Sequence, residues 1–339
     1  MSPSEKLNTS VGRPGEPEPR TFSRLYQTLI DPVNELKYLM SKFRDLEALS
    51  NDYRRTVLRS LCSKDVITQA LKTNLPIEAV IPMNLVTDDN SSIVFLGKNN
   101  HESPSQGRNI KDLIEHRNNH KIPLEKVRSI PKGFNLTNQI NENDEINLLA
   151  LWERFGWNRV QIRNFIQMMR SNQDDLWFSG VRDSNSKKLV AASTAEAMQF
   201  SGIKYIETTE YSTLDGYENL GLCTASVAGL VAQVLNAQHI LPTVITAEFN
   251  TSSTSAAIGA SAGFVIPKTD GVSQILSYNV AVVDGASANP VFINDHQTDR
   301  GIPFRYLKDF ALAVLPRENI DRLYSQVEIK QIINLYDPQ

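Results

Sequence analysis

From Ile206 to Leu235 the chain reads IETTEYSTLDGYENLGLCTASVAGLVAQVL, a strand, a tight turn and a helix in direct succession. Tyr205 to Thr213 is rich in β-branched and aromatic residues, which suit a pleated surface. Asp215-Gly216 breaks the run, and from Leu220 onward apolar residues recur at helical spacing: Leu222, Ala225, Gly229, Leu230 and Val234. A strand that turns straight into a helix presents the helix's first amides at the turn. Those N–H groups and the helix dipole together make an anion site. A phosphate-bearing ligand is therefore expected there.

The rest of the composition narrows what that ligand serves. A chain of 339 residues predicts about two domains. Its net charge of −3 gives no electrostatic case for nucleic acid or for an anionic membrane surface. The two cysteines, Cys62 and Cys223, are too few and too far apart for a disulfide scaffold or a thiolate metal site. No apolar run approaches the ~20 residues that span a bilayer, and no leader pattern opens the sequence. A cytoplasmic, reducing and soluble setting is the expectation.

Residues 1–20 are rich in Pro, Ser, Gly and Glu and read as a disordered tail. Phe22 to Lys72 reads as helical, with Leu25, Leu29, Leu36, Leu39 and Phe43, then Tyr53, Val57, Leu58 and Leu61. Short strands follow at Glu78–Ile81 and Ser92–Gly97. The two-proline stretch NHKIPLEKVRSIPKG marks a boundary between an N-terminal region, 21–125, and a second domain, 130–285. Past it come a short strand at Phe134–Asn138 and two amphipathic helices, Asp144–Phe155 and Arg159–Met169. A hairpin (Leu176–Val181, Leu189–Ala195) turns on RDSNSKK. After the organising stretch come a strand at Leu241–Phe249, a small-residue helix at Ser252–Ala262 and a strand at Gln274–Val283. Phe304–Leu315 reads as a helix opening a helical extension over 286–339. This order predicts an α/β (α+β) protein: a mixed, mostly antiparallel sheet with helices on both faces, preceded by a smaller helical α/β region.

The strand–turn–helix at the centre of that order resembles the GNAT superfamily of acyl-CoA N-acetyltransferases, and most nearly its β-lysine N-acetyltransferase branch. Glu207-Thr208-Thr209 and Thr213-Leu214 match the branch's strand, and Gly221-Leu222 the end of its loop. Ala191-Ala192-Ser193, Gly263-Phe264 and, more faintly, Ile81-Pro82 extend the likeness, which runs from about Glu78 to Val283. Two departures stand out. The family's loop arginine and first glycine are Glu218 and Asn219 here, and the small-residue helix lacks the tyrosine that commonly protonates the departing thiolate.

The resemblance implies acetyl-CoA, or another acyl-CoA, as co-substrate and a small-molecule primary amine as acceptor, with no metal. It implies a pyrophosphate cradle of the amides of Asn219, Leu220, Gly221, Leu222 and Cys223, with hydroxyls from Thr224 or Ser226. Ser212, Thr213 and Leu214 would offer the edge that pairs with pantetheine, and the Leu214 amide or a neighbour would polarise the thioester carbonyl. Asn250 would cap the following helix, hold the pantetheine, or do both. Glu207 aligns with the family's strand glutamate and is the expected base, with Glu210 second. Three residues apart, these two fall on opposite faces of a regular strand. Tyr211 is the candidate for the missing acid. Glu218 near the helix start is favourable by about 0.3–1 kcal/mol but competes with phosphates for the amides. The small residues of 252–262 allow either close packing or room for a longer acyl chain. A homodimer is left open.

Two other readings were weighed. A GNAT-like module that has lost catalysis would account for the departures. Gly259-Ala260-Ser261-Ala262-Gly263 matches a hydrolase G-x-S-x-G elbow, with Asp284 and His296 following in order. The elbow, however, needs a strand before the serine, and a helical pattern stands there instead. The five histidines include one i, i+4 pair, His116 and His120, without the HExxH pattern that would make a metal site of it.

Overall fold

Two β-sheets stacked face to face carry the chain. The computed structural model describes residues 22–27, 35–48, 55–99, 130–141, 143–152, 159–171, 175–200, 202–237, 241–250, 255–283, 291–292 and 304–336. The expected tail at 1–20, the segment Ile110–His120 and all five histidines lie outside them.

The N-terminal sheet is built from β1 (Phe22–Gln27), β2 (Arg55–Ser63), β3 (Ile77–Pro82) and β4 (Ser91–Asn99), in the order β1-β2-β4-β3. Both of its faces are buried, so its strands are apolar at odd and even positions alike. Leu58, Cys62, Val80, Val94 and Leu96 pack outward on α1 (Glu35–Ala48) and α2 (Lys64–Ala70). Leu61, Ala79, Ile81, Ile93 and Phe95 pack inward on the second sheet. This corrects the helical reading of Phe22–Lys72 over β1 and β2. A strand buried on both faces loses its two-residue alternation, and Val57, Leu58 and Leu61 then imitate helical spacing.

The main sheet contains β5 (Phe134–Thr137), β6 (Leu176–Asp183), β7 (Leu189–Phe200), β8 (Ile203–Thr213), β9 (Thr243–Asn250), β10 (Ile275–Val283), β11 (Val291–Phe292) and β12 (Phe304–Val314). Their spatial order is β11-β10-β12-β9-β8-β7-β6-β5. Among the described strand pairs of this sheet, only β8–β9 is parallel. Its crossover is helix α5 (Leu222–Asn236). Strand β12 corrects the reading of Phe304–Leu315 as a helix in a helical extension: it lies between β9 and β10, inside the sheet. Ala311 and Ala313 face one core cluster and Leu312 and Val314 the other, the same two-sided burial that misled the reading of β2.

Helices cover both faces of the main sheet. Phe178 meets Trp152 of α3 (Asp144–Trp152) and Phe165 of α4 (Arg159–Arg170). Its neighbour Ser179 turns the other way and accepts a hydrogen bond from Ser226 of α5. The N-terminal sheet shares the α3/α4 face and lies over β8, β9, β10 and β12. On the α5 face lie α6 (Ser255–Ser261), α7 (Arg317–Leu323) and α8 (Gln326–Ile333). The architecture is mixed α/β, with a mostly antiparallel sheet. No helix among the described residues is long and apolar enough to cross a membrane.

Helix α6 is built of small residues because Phe249 packs into it. A Cβ added at Gly259 would stand 1.9 Å from the Phe249 ring, the close packing that was one of the two expectations for this helix. Gly259→Ala is expected to destabilise the protein by about 1–3 kcal/mol through overpacking, measured by urea denaturation.

Candidate active site

The pairing of β8 with β9 runs from Lys204↔Thr243 to Thr208↔Ala247 and stops, while β8 continues to Thr213 and β9 to Asn250. The two strands therefore part. A β-bulge drives the parting on the β8 side: Glu210 and Tyr211 together oppose Ser193 of β7, between the pairs Thr194↔Thr209 and Ala192↔Ser212. Glu210 holds a left-handed backbone, φ 59°. Helix α3 fixes that geometry. Trp152 Nε1 donates to the Glu210 carbonyl at 3.1 Å, and Ser212 Oγ donates to the Leu151 carbonyl at 2.6 Å. The helix is itself anchored at its other end, where Arg182 Nη1 donates to Asp144 Oδ1 at 2.7 Å.

Beyond the bulge the chain turns through Asp215–Leu220 into α5. Gly221 is the N-cap residue, with φ 75°, and Asn219 before it has φ 63°. Alternating left-handed residues at a helix start orient successive amides toward one point. Gly221 brings no side chain of its own to cap the helix head. Glu218 Oε2 accepts from the Gly216 amide at 2.6 Å and closes the turn.

The carboxylates stand on the other side of the parting. Arg59, 0% exposed, reaches from β2 of the N-terminal sheet. Its Nη1 and Nη2 donate to Glu207 Oε2 at 3.2 and 3.3 Å, and Nη2 donates to Glu248 Oε1 at 3.1 Å. The guanidinium carbon lies 5.1 and 5.0 Å from the ring centroids of Phe95 and Tyr205, which adjoin each other at 6.4 Å. Burying a guanidinium in this way is tolerable only because carboxylates and aromatic faces replace its water. Glu207 and Glu248 come from β8 and β9, one from each side of the parting, and both keep a little exposure, 13% and 12%.

Tyr211 faces the α5 side. Its hydroxyl is hydrogen-bonded to Thr208 Oγ1, which in turn donates to the Thr246 carbonyl at 2.8 Å. Burial pushes the phenol well above the ordinary tyrosine range, so it stays protonated; Cys223, Tyr324 and Glu207 are its other electrostatic neighbours.

Glu207, Tyr211 and Thr213 lie on β8, and Asn219–Thr224 on the turn and helix that follow it; four expectations are altered. Glu207 and Glu210 are not related by strand alternation, because Glu210 is the extra residue of the bulge. The Leu214 amide donates to the Val190 carbonyl at 2.8 Å and is committed to β7; the peptide groups turned toward β9 belong to its neighbours Tyr211 and Thr213. The Ser212 hydroxyl serves α3. Ser226 is an interior residue, bonded to Ser193 Oγ at 2.8 Å and to the Ser179 carbonyl at 2.7 Å. Thr224 and Cys223 are buried in the first turn of α5, Leu220 is exposed, and the Asn250 side chain lies outside the described residues.

Arg59, Glu248 and Trp152 were missed as site residues. The available signal was a lone charge inside an apolar strand, Arg59 after Val57-Leu58 and Glu248 between Ala247 and Phe249. Such a charge needs a buried partner.

The rival hydrolase motif fails on context. Ser261 is the last residue of α6, 2% exposed, and donates to the Ala257 carbonyl at 2.8 Å within its own helix. Asp284 and His296 lie outside the described residues.

No protein-family model and no curated protein sequence matches the chain. Among solved structures, it is similar at 11% identity to NAA60 from Arabidopsis thaliana in complex with acetyl-CoA, over 55% of this chain and 99% of that one, with a TM-score of 0.38. A ribosomal-protein-S5-alanine acetyltransferase from Vibrio fischeri is similar at 12% identity over 55% of this chain and 94% of its own, TM-score 0.35. A GNAT-family acetyltransferase from Streptococcus pneumoniae is similar at 12% identity over 53% and 98%, TM-score 0.34. Likeness at this level assigns no substrate, and the function proposed below stands on the chain's own residues.

A fluorophosphonate probe is expected to leave Ser261 unlabelled in the folded protein, read by intact-mass spectrometry; stoichiometric labelling would restore the hydrolase reading.

Proposed function

We propose that the protein is an acyl-CoA-dependent N-acyltransferase that moves an acetyl group from acetyl-CoA to a primary amine on a small molecule. One observation carries this reading: the main sheet's parallel pair opens after Thr208 and Ala247, beside a helix head whose N-cap residue is a glycine. An opened sheet edge accepts an extended chain with amides of its own, such as pantetheine, by strand-like pairing. A helix start with left-handed Asn219 and a glycine N-cap before it suits a diphosphate. The two features adjoin along one chain, so one ligand with a diphosphate at one end and an amide-bearing arm at the other satisfies both.

The chemistry follows from what flanks the opening. The amine nitrogen forms a bond to the thioester carbonyl carbon as the C–S bond breaks. The nitrogen gives up a proton, and the thiolate takes one. Glu207, partly exposed at the mouth of the parting, is the group that accepts the amine's proton. Burial makes the Tyr211 phenol a weaker acid than usual, so the thiolate leaves as such and takes its proton from water, with Tyr211 the nearest candidate for a neutral hydroxyl beside it. Backbone donors of the bulged stretch Tyr211–Thr213 polarise the carbonyl. Backbone groups hold the diphosphate, so replacement of the family's loop arginine and first glycine by Glu218 and Asn219 is compatible with binding. The acceptor enters on the face of Glu207 and Glu248, between the N-terminal sheet and α3. Two carboxylates there favour a cationic amine.

Acetyl-CoA is expected to bind one-to-one in isothermal calorimetry. Absence of binding by both acetyl-CoA and free CoA would sink the proposal. Glu207→Gln is expected to leave that affinity within about twofold while lowering the rate of thiol release with amine acceptors by about 10²-fold or more, the usual contribution of a positioned base.

A further inference from the structure

The buried guanidinium of the N-terminal sheet stands where a structural ion pair would have no reason to stand. It joins the two strands at the last rung before they separate, through the side chain expected to serve as base. We infer that Arg59 is a positioning residue for acyl transfer: it holds Glu207 on β8 and Glu248 on β9 in one fixed arrangement, and so makes the N-terminal sheet a working part of the site. The inference rests on the acyltransferase reading and extends it to a residue and a sheet which that reading does not require.

The geometry supports this in three ways. First, Arg59 contacts Glu207 with both terminal nitrogens and Glu248 with one, all at 3.1–3.3 Å. A planar fork can span two carboxylates in this manner, and a lysine ammonium cannot reproduce it. Second, the rings of Phe95 from β4 and Tyr205 from β8, which adjoin each other at 6.4 Å, stand 5.1 and 5.0 Å from the guanidinium carbon and hold it by cation–π contact. Third, Thr208, the residue after Glu207, is the last to pair with β9. Fixing the Glu207 and Glu248 side chains at this rung therefore fixes the angle at which the strands diverge.

The described groups facing Glu207 are Arg59 from β2, Glu248 from β9, Glu196 directly opposite on β7, and Tyr205 on its own strand; Tyr211 lies across the sheet. Arg59 favours the ionised form of Glu207, and Glu248 disfavours it. The two neighbours must therefore move its titration in opposite directions. Without Glu248, Glu207 stays ionised to lower pH, and the acid limb of the rate profile moves down. Without Arg59, Glu207 keeps its proton to higher pH, and the acid limb moves up.

The test compares wild type, Glu248→Gln, Arg59→Lys and Arg59→Met. Thiol release from acetyl-CoA is measured across pH with a primary amine selected from a panel, and acetyl-CoA affinity is measured by calorimetry. The expected result is a downward shift of the acid limb in Glu248→Gln and an upward shift in Arg59→Met. In Arg59→Lys, kcat should fall at least tenfold with acetyl-CoA affinity within twofold of wild type. Should the methionine variant fail to fold, Glu248→Gln and Arg59→Lys decide the matter. An unmoved acid limb in Glu248→Gln, or a lysine variant with wild-type kcat, would overturn the positioning role while leaving acyl transfer standing. A wild type that neither binds acetyl-CoA nor releases thiol with any amine would instead remove the reading underneath.

Discussion

The hydrogen-bonded ladder between β8 and β9 ends one residue beyond Glu207, and the site is a consequence of that ending. A parallel pair normally zips along its whole length, because leaving backbone groups unpaired inside a sheet is costly. Here the bulge at Glu210 and Tyr211 turns β8 away, and α3 holds it there through Trp152 and Ser212. The opening is therefore built into the chain and does not wait for a ligand to force it. A preformed opening spares the ordering entropy that induced separation would demand of each binding event.

Two kinds of interaction meet at this opening, and they are kept apart by the sheet itself. On the α5 face lie neutral hydroxyl groups, Tyr211, Thr208 and the serines behind them, together with the helix head. On the opposite face lie charges, with Arg59 held between Glu207 and Glu248. Under the proposed acyl transfer, donor and acceptor would approach β8 from different sides of the sheet.

How much of this was legible in the sequence depended on burial. The strand–turn–helix from Ile206 to Leu235 was plain, because β8 keeps its alternation up to the bulge and α5 begins at a glycine that needs a positive φ. Strands β2 and β12 were misread as helices for one shared reason: each is covered on both faces, so polar residues no longer mark a solvent side. The bulge left no pattern at all. It is a tertiary decision, made by a tryptophan 58 residues away. Arg59 was likewise invisible as a site residue, since its partners are 148 and 189 positions distant. Pairing across such separations follows from the stacking of two sheets, and no local motif encodes it.

The place of β12 has a further consequence for how the molecule comes to exist. β9 lines the opening on one side and lies against β12 on the other, with Val314 opposite Thr246 and Phe310 opposite Asn250. During synthesis, every part of the opening is made before the strand that braces its far wall. Until residues 304–314 leave the ribosome, β9 is an edge, with its outer amides and carbonyls bare. Maturation of the site is thus deferred to a late, long-range closure, the slow kind of step that leaves a strand edge open to wrong partners in the interval.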